Sequence, residues 1–255
     1  MRALEAEGEL IRVNEPISVE LELPALLRGL MYRGGPAVMI ERTRENTLPA
    51  VGNLFGKWSR ILTALNGVEP GKAAERISEL TSLRPPTGII DALKSLGELR
   101  SISRYFPRLI NKAPVKENEW GNIDLFRLPA IRQWPKEPGR FLTFAVSFIK
   151  HGDVTNFGYY RLQIIGKDKF IMHWMPWRRS SQYADAGETE VAVVLGPDPV
   201  TMLMAGVPVP HPLDKVLVTG VIRGEGIELT GGSTISVEYP ANAEIVIEGK
   251  LTGEY

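Results

Sequence analysis

Residues 156–178 read "NFGYYRLQIIGKDKFIMHWMPWR". The runs "YYRLQIIG" and "KFIMHWM" are rich in aromatic and β-branched residues and meet at the polar turn "GKDK". That pattern predicts an antiparallel hairpin, with Met172, His173 and Trp174 leaving the turn beside the strand that carries Arg161. An Asn, an Arg, a His and two Trp crowd into this stretch. They are either an active site or the polar face of a sheet.

Working outward, "FLTFAVSFIKHG", "TEVAVVLG", "KVLVTGVIRG", "GIELTGG" and "AEIVIEGKL" read as further strands bounded by Gly or Asp turns. Many short strands at even spacing predict a barrel or sandwich from about residue 115. One helix, "DPVTMLMAG", interrupts them, with Asp198 as its N-cap and Pro199 at its first position. Upstream, "NKAPVKENEWGNIDLFRLPAIRQWPKEPGR" is dense in Pro and Gly and reads as a connector, not a core element.

The N-terminal region alternates short strands with helices. "ELELPALLRGLMYR" has helical apolar spacing at Leu23, Leu26, Leu27 and Leu30, and Gly34 and Gly35 stop it before the buried strand "PAVMIE". "LPAVGNLFG" adds a strand and loop. "KWSRILTALNG", "GKAAERISELTSL", "GIIDALKSLGEL" and "SISRYFPRLI" read as helical, cut by Pro85, Pro86 and Pro107. The expected class is α+β, with a small α/β domain over residues 1–112 and a mainly β domain over 113–255.

Thirty basic and thirty acidic residues cancel, so no global field draws the chain to nucleic acid or to an anionic membrane. The absence of Cys excludes disulfides, thiolate nucleophiles and zinc–thiolate sites. Apolar runs fall far short of the ~20 residues of a membrane span. "MRALEAEGEL" lacks a signal-peptide core, and the expected location is the cytoplasm.

Residues 156–178, "VAVVLGPDPVTMLMAGVPVP", "VLVTGVIRG" and "EYPANAEIVIEG" occur in the order found in UbiD-type decarboxylases, and "GELIRVNEPISVELELPALL" resembles that family's first domain. The resemblance spans nearly the whole chain. It implies a reversible (de)carboxylase of unsaturated or aromatic acids that uses prenylated FMN, and a split β-barrel as the flavin-binding domain over 113–255. A prenyl-flavin synthase would supply the cofactor, and manganese and potassium ions accompany it in relatives.

Each site residue has two readings. Asn156 reads as a turn residue at the mouth of the hairpin; the resemblance makes it a metal ligand at the flavin phosphate. It lies five positions before Arg161, so strict alternation puts the two on opposite faces unless a bulge at Gly158 intervenes. Arg161 is a charge between apolar neighbours, which burial penalises unless it is paired. It is either a barrel-mouth arginine held by a nearby carboxylate or, as the resemblance implies, the grip on the substrate carboxylate. A guanidinium makes two parallel hydrogen bonds to a carboxylate where a lysine cannot.

Tyr159, Tyr160, Met172, His173, Trp174, Trp177 and Arg178 match flavin-contacting positions of the family. His173 is otherwise a surface or interface residue, and matches a metal ligand of some relatives. Trp174 and Trp177 pack a core or wall a planar ring, and Trp177 departs from relatives that carry His. Arg178 and Arg179 serve a phosphate or are solvated. Glu244 and Glu248, four apart, read as mainly structural. The helix N-terminus at "GPDP" favours an anion unless Asp198 satisfies its amides.

Two departures from the family pattern carry weight. Where relatives have a metal-ligating Glu this chain has Lys215, beside Asp214, and a protonated ammonium cannot ligate a cation. The expectation is that Lys215 pairs with the cofactor phosphate or with an acid elsewhere, and that metal binding by Asn156 and His173 is weak or absent. The family's catalytic acids also follow the point at which this sequence stops. The leading expectation is therefore one subunit of a split enzyme, with a second polypeptide supplying the C-terminal domain and its proton-donating acid. The alternatives are a flavin-binding regulatory subunit without lyase activity, and a self-contained lyase in which Lys215 or Glu244 is the acid.

Overall fold

The computed structural model describes residues 1–46, 48–82, 103–152, 154–175, 181, 189–209 and 213–252. They fall into two compact units that interleave along the chain. The first takes residues 1–64, 119–145 and 160–174; the second takes 65–118, 146–159 and 175–255.

The first unit opens with helix α1 (Arg2–Ala6), strand β1 (Leu10–Val13), helix α2 (Glu22–Tyr32) and strand β2 (Ala37–Ile40). β1 and β2 pair in parallel, Leu10 opposite Ala37, and β3 (Ala50–Gly52) adds antiparallel to β2. A parallel pair needs a long crossover, and α2 provides it. The Leu23, Leu26, Leu27 and Leu30 stripe packs on Val19, Val38 and Ile40. Gly34, at φ +60°, turns the chain out of the helix, and the Gly35 amide donates to the Leu30 carbonyl. Both glycines act as the spacing predicts.

Helix α3 (Trp58–Ala64) carries the most buried charge of this unit, Arg60, whose side chain is fully enclosed. Its guanidinium donates to a Glu9 carboxylate oxygen at 2.6 Å and to the carbonyls of Leu54, Asn53 and Gly35. Lys57 also pairs with Glu9. The connector of the sequence reading contributes to the core: Leu125, Leu128 and Ala130 are buried, around a 3₁₀ turn (Leu125–Arg127) capped by Asp124. Its Pro and Gly content signals irregular backbone, but regular apolar spacing is not required for burial once 3₁₀ turns set the side chains.

The second unit contains α4 (Pro70–Ser82) and β4 (Arg108–Leu109), then β6 (Val146–His151), β7 (Val154–Tyr159) and β10 (Thr189–Leu195). After them come α5 (Pro199–Ala205), α6 (Lys215–Arg223), β11 (Glu228–Gly231), β12 (Glu238–Pro240) and β13 (Ile245–Leu251). β13, β10, β6 and β7 form an antiparallel sheet in that order; β12, β11 and β4 form another. One face of the four-stranded sheet, with Val146, Phe148, Phe157, Ala192 and Val194, packs with Val200, Met204, Val218 and Ile222 of α5 and α6.

Two readings change here. "KVLVTGVIRG" is helix α6, not a strand. Its β-branched residues suit a strand by propensity, but burial along almost the whole length overrides that preference. The Asp214 side chain caps it by accepting from the Leu217 amide, and Gly224 at φ +90° closes it. Gly220 is required by packing, because a Cβ there would lie 2.2 Å from the Tyr105 carbonyl oxygen. "SISRYFPRLI" ends in strand β4, which pairs in parallel with β11, and not in a helix; Pro107 removes the helical donor just before it. The predicted helix over "GIIDALKSLGEL" lies outside the described residues.

Among the described residues the strands make four sheets of three or four strands, none closed on itself. The α+β class is as expected. No described helix is long and apolar enough to cross a membrane.

Glu248 on β13 is a structural carboxylate. It accepts from the amides of Ser233 and Thr234, the Thr234 hydroxyl and the Tyr239 hydroxyl, all within 2.7 Å. Burial alone would raise its pKa, but these donors hold it below the usual carboxylate range. A depressed folded-state pKa gives stability that is present above the unfolded value and lost as pH falls through the folded one. Melting Glu248→Gln and wild type at pH 7 and at pH 3 is expected to show a deficit for the variant that shrinks markedly in acid.

Candidate active site

The antiparallel hairpin forms as predicted. β8 (Arg161–Ile164) and β9 (Phe170–His173) pair antiparallel, Arg161 opposite His173 and Leu162 opposite Met172, with β5 (Phe141–Leu142) on the other side of β8. The turn closes as Ile165 and Gly166 donate to the Lys169 carbonyl. Leu162 and Ile164 are buried, so Arg161 lies on the opposite face with Phe141 and His173. Its guanidinium carbon sits 3.9 Å from the centre of the Phe141 ring, and the His173 and Phe141 rings are 5.9 Å apart.

Arg161 is also paired. One of its terminal nitrogens donates to Oε1 of Glu137, a carboxylate whose side chain is only 9% exposed. The Glu137 Oε2 accepts from the backbone amides of Gln133 at 2.6 Å and Trp134 at 3.2 Å. Burial opposes ionisation of this carboxyl, yet Arg161 and the two amides hold it below its usual range. Trp134 is fixed in turn against Arg28 of α2, at 5.2 Å from its ring centre. Glu137 lies in the connector and no spacing rule singles it out; its only sequence signal is a carboxylate inside "WPKEPG".

Tyr160, buried, links β7 to β8 and meets Trp174 edge-on at 5.6 Å. Met172 and Trp174 are half-buried, and His173 is exposed. Within this unit the structure sets Arg161 and His173 side by side on one face and Met172, opposite Leu162, on the other, with Tyr160 and Trp174 in contact.

Asn156, Tyr159 and Lys215 belong to the second unit. Asn156 is not at a hairpin mouth: it sits inside β7 opposite Ile149, and Gly158 pairs regularly with Ser147 without a bulge. The ladder of β6 and β7 extends from His151 and Val154 to Val146 and Tyr159, so the break falls at Tyr160. Tyr159 donates its hydroxyl to the Met202 carbonyl at 2.6 Å, and burial raises its phenol pKa. Lys215 is the first residue of α6 and is buried. Its ammonium donates to the Ala205 carbonyl at 3.2 Å and lies 4.9 Å from the centre of the Phe157 ring.

Asp198 accepts from the amides of Val200 and Thr201, which occupies the α5 N-terminus that might otherwise take an anion. Glu244 precedes β13, and its side-chain stem lies against Gly196. Trp177, Arg178 and Arg179 lie outside the described residues.

Comparison with known proteins identifies the chain. Residues 1–81 match the family model described as 3-octaprenyl-4-hydroxybenzoate carboxy-lyase N-terminal domain, and residues 108–255 match that of the Rift-related domain of the same carboxy-lyase. The chain belongs to the UbiD family. Uncharacterized proteins of Aquifex aeolicus (strain VF5) and Aeropyrum pernix share 32% and 37% identity with it, over 100% and 97% of this chain and 54% and 53% of their own length.

Among solved UbiD structures, the UbiD-class enzyme HmfF from Pelotomaculum thermopropionicum in complex with FMN superposes with a TM-score of 0.79 at 26% identity, covering 98% of this chain and 53% of that one. An evolved dimeric form of HmfF, in complex with prFMN, gives 0.80 at 26%, over 98% and 55%. The vanillic acid decarboxylase of Sedimentibacter hydroxybenzoicus, at 23% identity and a TM-score of 0.79, covering 98% of this chain and 53% of its own, shares the fold. The chain spans about half the length of the curated relatives it matches. Carboxy-lyase chemistry is thus a property of its family.

Proposed function

We propose that this chain is the flavin-binding and carboxylate-gripping part of a prenylated-FMN-dependent carboxy-lyase of unsaturated or aromatic acids. A second polypeptide supplies the proton-donating acid. In this reading residues 1–112 are the N-terminal domain and 113–255 the split-barrel flavin domain of the family. The observation that carries it is Arg161: a guanidinium on a sheet face, 39% exposed, with one terminal nitrogen engaged by Glu137. Five N–H donors in a planar fork leave several for an incoming carboxylate.

The first unit fits a flavin. Trp174, edge-on to Tyr160, offers a wall for a planar ring, and Ile171 of β9 adds exposed apolar surface. In this unit Tyr160, Arg161, Met172, His173 and Trp174 keep their family-derived cofactor assignments; Asn156, Tyr159 and Lys215 of the second unit keep theirs. When bound, prenylated FMN supplies an electron-accepting ring for the electrons released as carbon dioxide leaves.

The residues of this chain orient the reaction. Arg161 would hold the scissile carboxylate by two charge-assisted hydrogen bonds, so the substrate enters the reaction already aligned. Phe141 supports the guanidinium from below. The proton that replaces the lost carboxyl comes from the partner's acid.

In this reading divalent metal binding is weak or absent, because Lys215 stands where relatives carry the third ligand and a protonated ammonium cannot ligate a cation. Metal analysis of the purified protein is expected to find manganese well below one equivalent; a stoichiometric amount retained through Asn156 and His173 would contradict this.

The function is tested by co-producing the chain with a prenyl-flavin synthase and a candidate partner rich in Glu near its start. Mass spectrometry is expected to find modified FMN, and decarboxylation to require both chains. Bound flavin without turnover with any partner would favour the regulatory subunit. Turnover by the chain alone, abolished by Lys215→Ala or Glu244→Gln, would favour the self-contained enzyme.

A further inference from the structure

We infer that Glu137 is the positioning residue for Arg161, holding its guanidinium so that the remaining donors face an incoming carboxylate. This rests on the reading of Arg161 as the carboxylate grip. Three features of the Glu137 contact separate it from an ordinary surface ion pair.

Glu137 is itself fixed. Its Oε2 is held by the amides of Gln133 and Trp134 and its side chain is nearly enclosed, whereas an exposed pair must order two mobile side chains. The contact is also single-pointed, with Oε1 taking one terminal nitrogen of Arg161 and no bidentate fork closed. A fork would have used the edge that a substrate carboxylate needs. Finally, the Phe141 ring lies under the guanidinium at 3.9 Å, so Glu137 fixes its rotation while Phe141 fixes its plane.

The loop that presents Glu137 is braced on the side that precedes it. Arg132 donates to the Pro135 carbonyl at 2.7 Å, and Arg28 lies over the Trp134 ring. Glu137 touches neither cofactor nor substrate in this scheme; it acts through Arg161.

Arginine-directed dicarbonyls add to the guanidinium nitrogens, one of which is occupied by the Glu137 carboxylate. Phenylglyoxal labelling of the full chain, mapped to Arg161 by peptide mass spectrometry, therefore reads the pair directly. Glu137→Gln is nearly isosteric, yet its amide must present a donor either to Arg161 or to the backbone amides. It is expected to speed labelling of Arg161 several-fold, because the charged contact that occupies one of its terminal nitrogens is weakened.

Trans-cinnamate as probe carboxylate should protect wild type, and protect Glu137→Gln only at several-fold higher concentration. Glu137→Asp, which keeps the charge on a shorter stem, should fall between them and stands in if the Gln variant does not fold. Equal labelling rates in wild type and variant overturn the proposal. Stronger cinnamate protection in the Gln variant also overturns it, making Glu137 a competitor for the grip. Faster labelling with no protection of wild type overturns the carboxylate reading of Arg161 separately from the hold that Glu137 has on it.

Discussion

Arg161→Ala is expected to retain bound flavin at nearly the wild-type level and to lose turnover by about 100-fold or more, the scale on which misplacement of a reacting group is felt. The assay is decarboxylation by the flavin-loaded protein together with the proposed partner chain, alongside the flavin absorption spectrum. Arg161→Lys should recover little, because an ammonium is a point charge and lacks the planar fork that matches a carboxylate. The alanine variant also leaves Glu137, largely enclosed, without its counter-charge, so its folding must be checked by circular dichroism. Near-normal turnover in a folded, flavin-loaded Arg161→Ala protein would remove the assignment.

The largest expected effect on stability comes from a different arginine. Arg60→Ala removes the enclosed partner of Glu9 and the Arg60 donors to the carbonyls of Leu54, Asn53 and Gly35, of which Gly35 keeps the Asn53 side-chain amide and Asn53 keeps the Gly56 amide. Deleting one partner of a buried ion pair costs about 3–5 kcal/mol. At roughly 2–4 °C per kcal/mol in a chain of this size, the melting midpoint should fall by about 10 °C. Lys57 still reaches Glu9, which softens the loss but does not replace the donor to the Leu54 carbonyl. Arg60→Met, close in volume, should remain clearly destabilised, because the lost hydrogen bonds to Glu9 and Leu54 and not the cavity dominate the cost. A midpoint within 2 °C of wild type, by the same roughly 2–4 °C per kcal/mol, would show that the network contributes little.

What the sequence discloses tracks how local each signal is. The "GKDK" turn fixes the register of β8 on β9, so Arg161 and His173 are legible as neighbours. Asp198 with Pro199 announces α5, and the leucine stripe announces α2, because caps and periodicity are written within a few residues. Helix α6 is hidden by its own composition: Val216, Val218, Thr219, Val221 and Ile222 read as strand, and only the Asp214 cap and Gly224 tell otherwise. Asn156 is misplaced for a similar reason, since its turn propensity gives way to a regular ladder with β6.

Glu137 is harder still. It stands 24 residues before its partner, in a stretch whose Pro and Gly mark it as connector, and the ion pair exists only after β5 and β8 have folded together. The carboxylate weighed as a generic partner for Arg161 turns out to have an address, but no periodicity leads to it.

The most direct measurement is a crystal structure of the chain loaded with prenylated FMN and soaked with trans-cinnamate. The account predicts the carboxylate bound by two nitrogens of Arg161, with Glu137 still on the guanidinium and the flavin ring against Trp174. A guanidinium turned to solvent, distant from both flavin and acid, would contradict it.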